Sequence, residues 1–168
     1  LKIGGMQLFQ SEFSSKEEKV LPRTTKIATG IGFVYIFLSI ICTVALLFSG
    51  MTLFDSIAHG MTIIATGGFS TKDMSIGFFD SVSTEIITIF FMILSSLPFI
   101  LLFQSLRGKI TDLVRSSQVQ FFLFLILIIT VIVAFWLKRY YEVDFLQSLR
   151  ISAFAVVSIS TGSGFSTY

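Results

Sequence analysis

Apolar segments of two lengths alternate along this chain, and that alternation limits what it can fold into. Segments 27–48, 86–103 and 121–137 are uninterrupted by charge and near the length of a membrane span. At 1.5 Å of rise per residue, about 22 helical residues reach roughly 33 Å, enough to cross the hydrocarbon of a bilayer. Segment 55–64 is apolar but too short to cross. It runs into an uncharged loop, Ile64-Ala65-Thr66-Gly67-Gly68-Phe69-Ser70-Thr71. Segment 144–158 likewise runs into Ile159-Ser160-Thr161-Gly162-Ser163-Gly164-Phe165-Ser166-Thr167. The repeating unit reads membrane helix, short helix, glycine-containing loop, membrane helix. A repeat of this kind fixes the architecture before any single residue does.

A loop at membrane depth carries a chemical requirement. Backbone N–H and C=O groups are not left unpaired in hydrocarbon, so irregular backbone is tolerated only inside protein or along a watery cavity. A ring of carbonyls can replace the water shell of a cation. Glycine reaches the positive φ angles that turn successive carbonyls toward one axis. The C-terminal end of the preceding short helix carries roughly half a negative charge, which favours a cation there. Ala65, Thr66, Gly67 and Gly68, with Ser160, Thr161, Gly162 and Ser163, are therefore the candidate ion-binding residues, through their main-chain oxygens. Gly67 and Gly162, each preceded by threonine, are read as matching positions.

Composition narrows the class. Of 168 residues 54% are hydrophobic and 13% charged, where a soluble domain carries about 25% charged residues. An all-α integral membrane protein is expected. The net charge of +2 gives no reason to expect nucleic acid. Cys42 is the only cysteine, lies in an apolar run and is read as a small core residue. His59 is the only histidine and has no partners at metal-ligand spacing, so it reads as a packed or hydrogen-bonded residue of the short helix. No span holds a Ser/His/Asp set, paired carboxylates or a His/Glu cluster, so an intramembrane enzyme is not expected. No covalent cofactor is expected either.

Charge along the flanks sets the orientation. Segment 1–26 carries Lys2, Lys16, Lys19, Arg23 and Lys26, and segment 104–118 carries Arg107, Lys109 and Arg115. Both read as cytoplasmic under the positive-inside rule, placing Lys72 outside. Lys138 and Arg139 fall on the outer side, against that rule, with Glu142 and Asp144 nearby. Leu8, Phe9 and Phe13 offer a surface for the membrane interface. Gly30 and Gly32 are candidates for close helix contact. Lys72, Asp73, Asp80 and Glu85 after the first loop read as an outer mouth. Pro98, preceded by Ser95 and Ser96, is expected to kink its span, the hydroxyls serving the freed carbonyl.

The run Leu53-Phe54-Asp55-Ser56-Ile57, the loop Ala65 to Thr71 and the segment Ser75-Ile76-Gly77-Phe78-Phe79-Asp80-Ser81 resemble the second pore repeat of the Trk/Ktr/HKT superfamily of potassium transporters. Ile3-Gly4-Gly5-Met6-Gln7-Leu8 resembles the segment before that repeat. Ser152 to Gly162 is similar to the third repeat's pore helix and filter, with Ser163-Gly164 departing from the Gly68 pattern by one residue. The resemblance implies a potassium-channel-like fold of helix, pore helix, filter loop and helix. On it, 1–26 is a cytoplasmic or interfacial segment. A complete repeat occupies 27–103, with span 27–48, pore helix 55–64, filter 65–69 and span 86–103. Segment 104–118 is a cytoplasmic loop, and 119–168 a partial repeat with span 121–137, pore helix 144–158 and filter 160–165. The chain lacks an initiating Met and stops within a filter-like loop, so it is expected to be an excerpt; members of the family carry four such repeats.

The implied function is the pore-forming subunit of a potassium uptake system in the bacterial inner membrane, with K+ as the transported ion. The resemblance also implies a homodimer and a cytosolic nucleotide-binding regulatory subunit. Phe69 and Phe165 are expected to wedge the loops against their helices. Serine at Gly67 or Gly162 is expected to lower the preference for potassium over sodium. The contrasting reading is a membrane structural or assembly subunit whose glycine-rich loops only connect helices. A plain connection has no need of a preceding helix too short to cross.

Overall fold

Helix α1, Val20–Phe48, opens the computed structural model, which describes residues 20–141 and 144–167, with side chains from residue 27. Leu8, Phe9, Phe13 and most of the polar first segment, with Glu142, lie outside the described residues. α1 is apolar all round from Ile27 onward. Val34, Leu38, Cys42 and Leu46 recur every fourth residue and are buried, while Phe33, Ile36 and Ile40 on other faces are exposed. A helix with one packed stripe and an otherwise apolar exterior suits a bilayer, whose tails accept that exterior.

The short helix α2, Leu53–Ile64, folds back against α1. Its N-cap is Thr52, where Asp55 or Ser56, at the start of the apolar segment, would be expected from sequence: Thr52 Oγ1 accepts from the Asp55 N–H at 3.2 Å and donates to Asp55 Oδ2 at 2.8 Å. The cap satisfies an orphan donor, and the reciprocal carboxylate stiffens the first turn. Gly60 packs so closely on Thr43 of α1 that a β-carbon there would collide with the threonine hydroxyl and backbone.

After the first loop come a 3-10 helix, Ser75–Phe79, and α3, Val82–Ser95, capped by the Ser81 hydroxyl. α4, Phe99–Leu106, continues the span at an angle of 100° to α3. The break is at Ser96-Leu97-Pro98. There the ladder tightens, with Ser96 and Leu97 N–H groups donating three residues back, to Ile93 and Leu94. The Met92 carbonyl, left without its usual donor, accepts from the hydroxyls of Ser95 at 2.9 Å and Ser96 at 2.7 Å. The proline therefore breaks the span outright, more sharply than a kink, and serine hydroxyls cover the exposed acceptor.

α5, Ile110–Arg115, is a short exposed linker helix. α6, Ser117–Tyr141, is the next long span, and α7, Phe145–Ser160, returns against it with Asp144 as its cap. Among the described residues two helices, α1 from Ile27 and α6, are long and apolar enough to cross a membrane, and the broken pair α3–α4 makes a third if taken as one span. α3 packs on both short helices, so the two repeats share one interface.

Of the two candidate contact glycines, only Gly30 makes one. A β-carbon there would lie 3.0 Å from the Phe103 ring of α4, whereas one on Gly32 meets nothing within 4 Å. Gly30→Ala should lower the melting temperature of the detergent-purified protein, by an overpacking cost of about 1 kcal/mol. Gly32→Ala should leave it unchanged or raise it, alanine being the better helix former. Equal melting temperatures for the two variants would contradict the α1–α4 packing.

Candidate ion-binding loops

The two glycine-containing loops leave the ends of α2 and α7 by the same route. Ala65 and Thr161 are the C-caps, both right-handed, with φ of −78° and −86°. Thr66 (φ 51°) and Gly162 (φ 72°) then turn left-handed, as do Gly68 (φ 67°) and Gly164 (φ 77°) two residues on. Each loop is tied to its own helix by a hydroxyl that reaches seven residues forward: Thr62 Oγ1 donates to the Phe69 carbonyl at 2.9 Å, and Ser158 Oγ to the Phe165 carbonyl at 2.7 Å.

These matches fix the register. Thr66 corresponds to Gly162, Gly67 to Ser163 and Gly68 to Gly164. The pairing of Gly67 with Gly162 expected from the shared Thr-Gly dipeptide is therefore one residue out. Gly67 does not have a positive φ, and a β-carbon on it would make only ordinary contacts, the nearest 3.4 Å from the Phe69 ring. The residue that takes the strained conformation in the first loop is Thr66. A β-carbon resists the left-handed region by roughly 1–2 kcal/mol, and such residues cluster at functional sites.

The backbone N–H groups of both loops point back to their helices. Ala65, Thr66 and Gly67 donate to Met61, Ile63 and Thr62 at 3.0, 3.1 and 2.7 Å; Thr161, Gly162 and Gly164 donate to Val157, Ile159 and Ser158 at 2.9, 3.1 and 3.3 Å. Among the described residues no donor reaches the carbonyl oxygens of Ala65, Thr66, Gly67, Gly68, Thr161, Gly162 or Ser163. Ser160 is still the last helical residue of α7. Ala65, Gly67, Ser160 and Gly162 are exposed, Thr66, Gly68 and Thr161 half-buried, and Ser163 buried. Polar acceptors lacking protein donors are costly unless something else meets them.

The loops touch. A β-carbon on Gly68 would collide with the Ser163 carbonyl oxygen of the second loop. Beyond them, the Gly77 N–H of the 3-10 helix donates to the Ser166 carbonyl at 3.2 Å, and the Ser166 N–H to Ser75 Oγ at 3.3 Å. The outer segment of the first repeat thus supports the second loop. Phe165 is buried, as a wedge should be, but Phe69 is 77% exposed and wedges nothing among the described residues.

Behind the first loop lies a polar cluster. Thr71 Oγ1 donates to Asp55 Oδ1 at 2.5 Å, and Lys72 Nζ stands 3.7 Å from Asp55 Oδ2. Hydroxyl donation from Thr71, then Thr52, holds the Asp55 carboxyl below the usual carboxylate range. Lys72 also lies over the Phe78 ring, 4.9 Å from its centroid. Buried His59 is hydrogen-bonded on both ring nitrogens. Of the four charges expected at an outer mouth, Lys72 is committed to Asp55. Glu85 lies 3.2 Å from Arg150 Nε of α7, leaving Asp73 and Asp80 exposed. No group of three or more metal-ligating side chains occurs among the described residues.

Short apolar helices that end in paired glycine-containing loops, set between apolar spans, define an all-helical multi-pass membrane protein. A family model described as "TrkH: Cation transport protein" matches residues 1–135, and the chain belongs to that family. It is 38% identical over 171 residues to the Trk system potassium uptake protein TrkH of Halomonas elongata, a match that spans 99% of this chain and 35% of that protein. It is 35% identical over 173 residues to the protein of the same name in Escherichia coli K12, again over 99% of the chain and 35% of the relative. The crystal structure of the potassium transporter TrkH from Vibrio parahaemolyticus matches with a TM-score of 0.83 at 32% identity, over 88% of this chain and 32% of that one. The chain spans about a third of the length of these relatives.

Proposed function

We propose that this chain supplies two of the carbonyl-lined loops of a potassium uptake pore in the bacterial inner membrane. The observation that carries the reading is the row of loop carbonyls without donors, turned by matched left-handed residues at Thr66 and Gly68 and at Gly162 and Gly164. A turn that merely joins helices has no reason to leave that many acceptors open in a low-dielectric setting. A dehydrated cation meets them directly, and the C-terminal ends of α2 and α7 add negative potential. Ala65 to Gly68 and Thr161 to Ser163 form the ion-binding set, through backbone oxygen, with K+ as the cargo and no covalent cofactor; Ser160, still helical, is set aside. The complete protein is read as a transporter without enzymatic chemistry, a homodimer served by a cytosolic nucleotide-binding regulatory subunit. Relatives named as potassium uptake proteins support the choice of ion.

The test is growth of a potassium-uptake-deficient bacterium at low potassium, carrying the complete gene that encodes this chain, with sodium as competitor. Rescue that sodium does not suppress is the expected result; no rescue at confirmed membrane expression would refute the reading. Orientation is tested in the same cells. In a Cys42→Ala background, Lys72→Cys should react with an impermeant thiol reagent added outside, and Ser116→Cys should not. The reverse pattern would invert the assignment of the basic loop 104–118 to the cytoplasm.

A further inference from the structure

We propose that His59 is a positioning residue that holds both loops in a common register and so sets which alkali cation they prefer. The inference rests on the filter reading above and adds a residue that does not touch the ion. His59 is fully buried on α2. Its Nδ1 lies 2.7 Å from the Asp55 carbonyl oxygen, which can only accept, so Nδ1 carries hydrogen and donates. In the neutral ring Nε2 then accepts, and Ser70 Oγ stands 2.9 Å away with its hydroxyl available. Ser70 Oγ in turn accepts from the Lys72 N–H at 3.1 Å, which directs its own hydrogen to the imidazole. The residue that follows Phe69 is thereby pinned to the helix behind the loop.

The ring also reaches the second loop. Phe79 of the 3-10 helix meets His59 edge to face at 5.5 Å, and Phe165 lies 6.2 Å away, tilted by 35°. The same 3-10 helix donates to the Ser166 carbonyl through Gly77. One imidazole therefore bears on loop one by hydrogen bonds and on loop two by packing. The charged groups around it are Asp55 and Lys72, paired with each other at 3.7 Å. In the loop register defined by Thr62 and Ser158, the position matching His59 is Ala155, which is exposed and offers no such link. The clamp is thus built once and serves both loops. A shift of the outer loop ends moves the adjoining carbonyls, and selectivity depends on how those oxygens are spaced and how freely they move.

The experiment uses the complete protein in potassium-uptake-deficient cells and reads the potassium-to-sodium uptake ratio at matched membrane levels. His59→Ala and Ser70→Ala should each lower the ratio about fivefold, the scale of one hydrogen bond lost. The double variant should lower it no further than His59→Ala alone, because both remove one interaction. His59→Gln, whose amide oxygen can accept from Ser70, should recover most of the ratio. His59→Phe keeps the ring and its packing but not the nitrogens, and should behave like His59→Ala. A wild-type ratio in both His59→Phe and Ser70→Ala would overturn the proposal. If Gly162→Ala shifts the ratio while those two do not, the filter reading stands and the clamp falls. If none of the three shifts it, the filter reading falls and takes the clamp with it.

Discussion

Gly68→Ala should abolish potassium uptake by the complete protein while leaving it in the membrane. Two effects act at that position. Its φ of 67° is one that a β-carbon resists, by roughly 1–2 kcal/mol. The added carbon also has no place to go, because the Ser163 carbonyl of the other loop occupies it. Backbone cannot rotate aside as a side-chain tip can, so one loop must move. Overpacking of this kind costs about 1–3 kcal/mol. If the moved loop must return for conduction, the combined scale of about 3 kcal/mol is a loss on the order of a hundredfold. Gly162→Ala separates the two effects. Its φ of 72° is equally unfavourable to alanine, but nothing lies within 4 Å of the added carbon. It should change selectivity and retain measurable uptake. Gly67→Ala should be mildest of the three, since neither effect applies. Uptake assays at matched expression check the order; Gly67→Ala as damaging as Gly68→Ala would contradict the loop register.

The second large effect lies between the repeats. Arg150 of α7 holds its Nε 3.2 Å from Glu85 Oε2 of α3, with side-chain exposures of 24% and 12%. The approach is off the N–H direction, so the pair is chiefly coulombic. Arg150→Ala leaves a carboxylate mostly out of water without its partner. Breaking such a pair from one side costs about 3 kcal/mol or more, whereas replacing both members with apolar groups is often neutral. Arg150→Ala or Glu85→Ala alone should therefore strongly reduce the amount of folded protein recovered in mild detergent. The double variant Glu85→Gln with Arg150→Met should recover most of it. Size-exclusion profiles of tagged protein measure this. Single variants as well folded as the parent would mean the pair does not hold α3 to α7.

Much of the fold is legible in the sequence because a bilayer imposes length. The spans beginning at Ile27 and in α6 follow from apolar runs that water would not accept, and the shortness of 55–64 by itself forbids crossing. Pro98 marks a disturbed helix, but the 100° break needed more than proline. Ser95 and Ser96 cover the freed carbonyl as their position before the proline predicts, but the size of the bend follows from the tightened ladder at Ser96 and Leu97, which no residue type announces. The loops were legible as candidate ion sites and mislaid in register. The Thr-Gly dipeptide recurs in both, and the eye aligns glycine with glycine. The backbone aligns by φ instead, and in the first loop a threonine takes the left-handed turn that a glycine takes in the second. His59 carried no signal as a link. Its partners are a main-chain oxygen of its own helix, a serine eleven residues on, and two phenylalanines from separate segments. None of these forms a motif, because the contacts are created by the loops folding back over α2. The same holds for Ser75 and Gly77, whose bonds to Ser166 join residues far apart in the chain.

Anomalous diffraction from crystals of the complete protein grown with thallium or rubidium, cations that scatter anomalously and stand in for potassium, tests the central claim most directly. Peaks bounded by the carbonyl oxygens of Ala65 to Gly68 and of Thr161 to Ser163 are expected, and they should weaken when potassium is added back. Peaks elsewhere along the permeation path with none between these loops, in protein shown to transport, would contradict the assignment of these carbonyls to the ion.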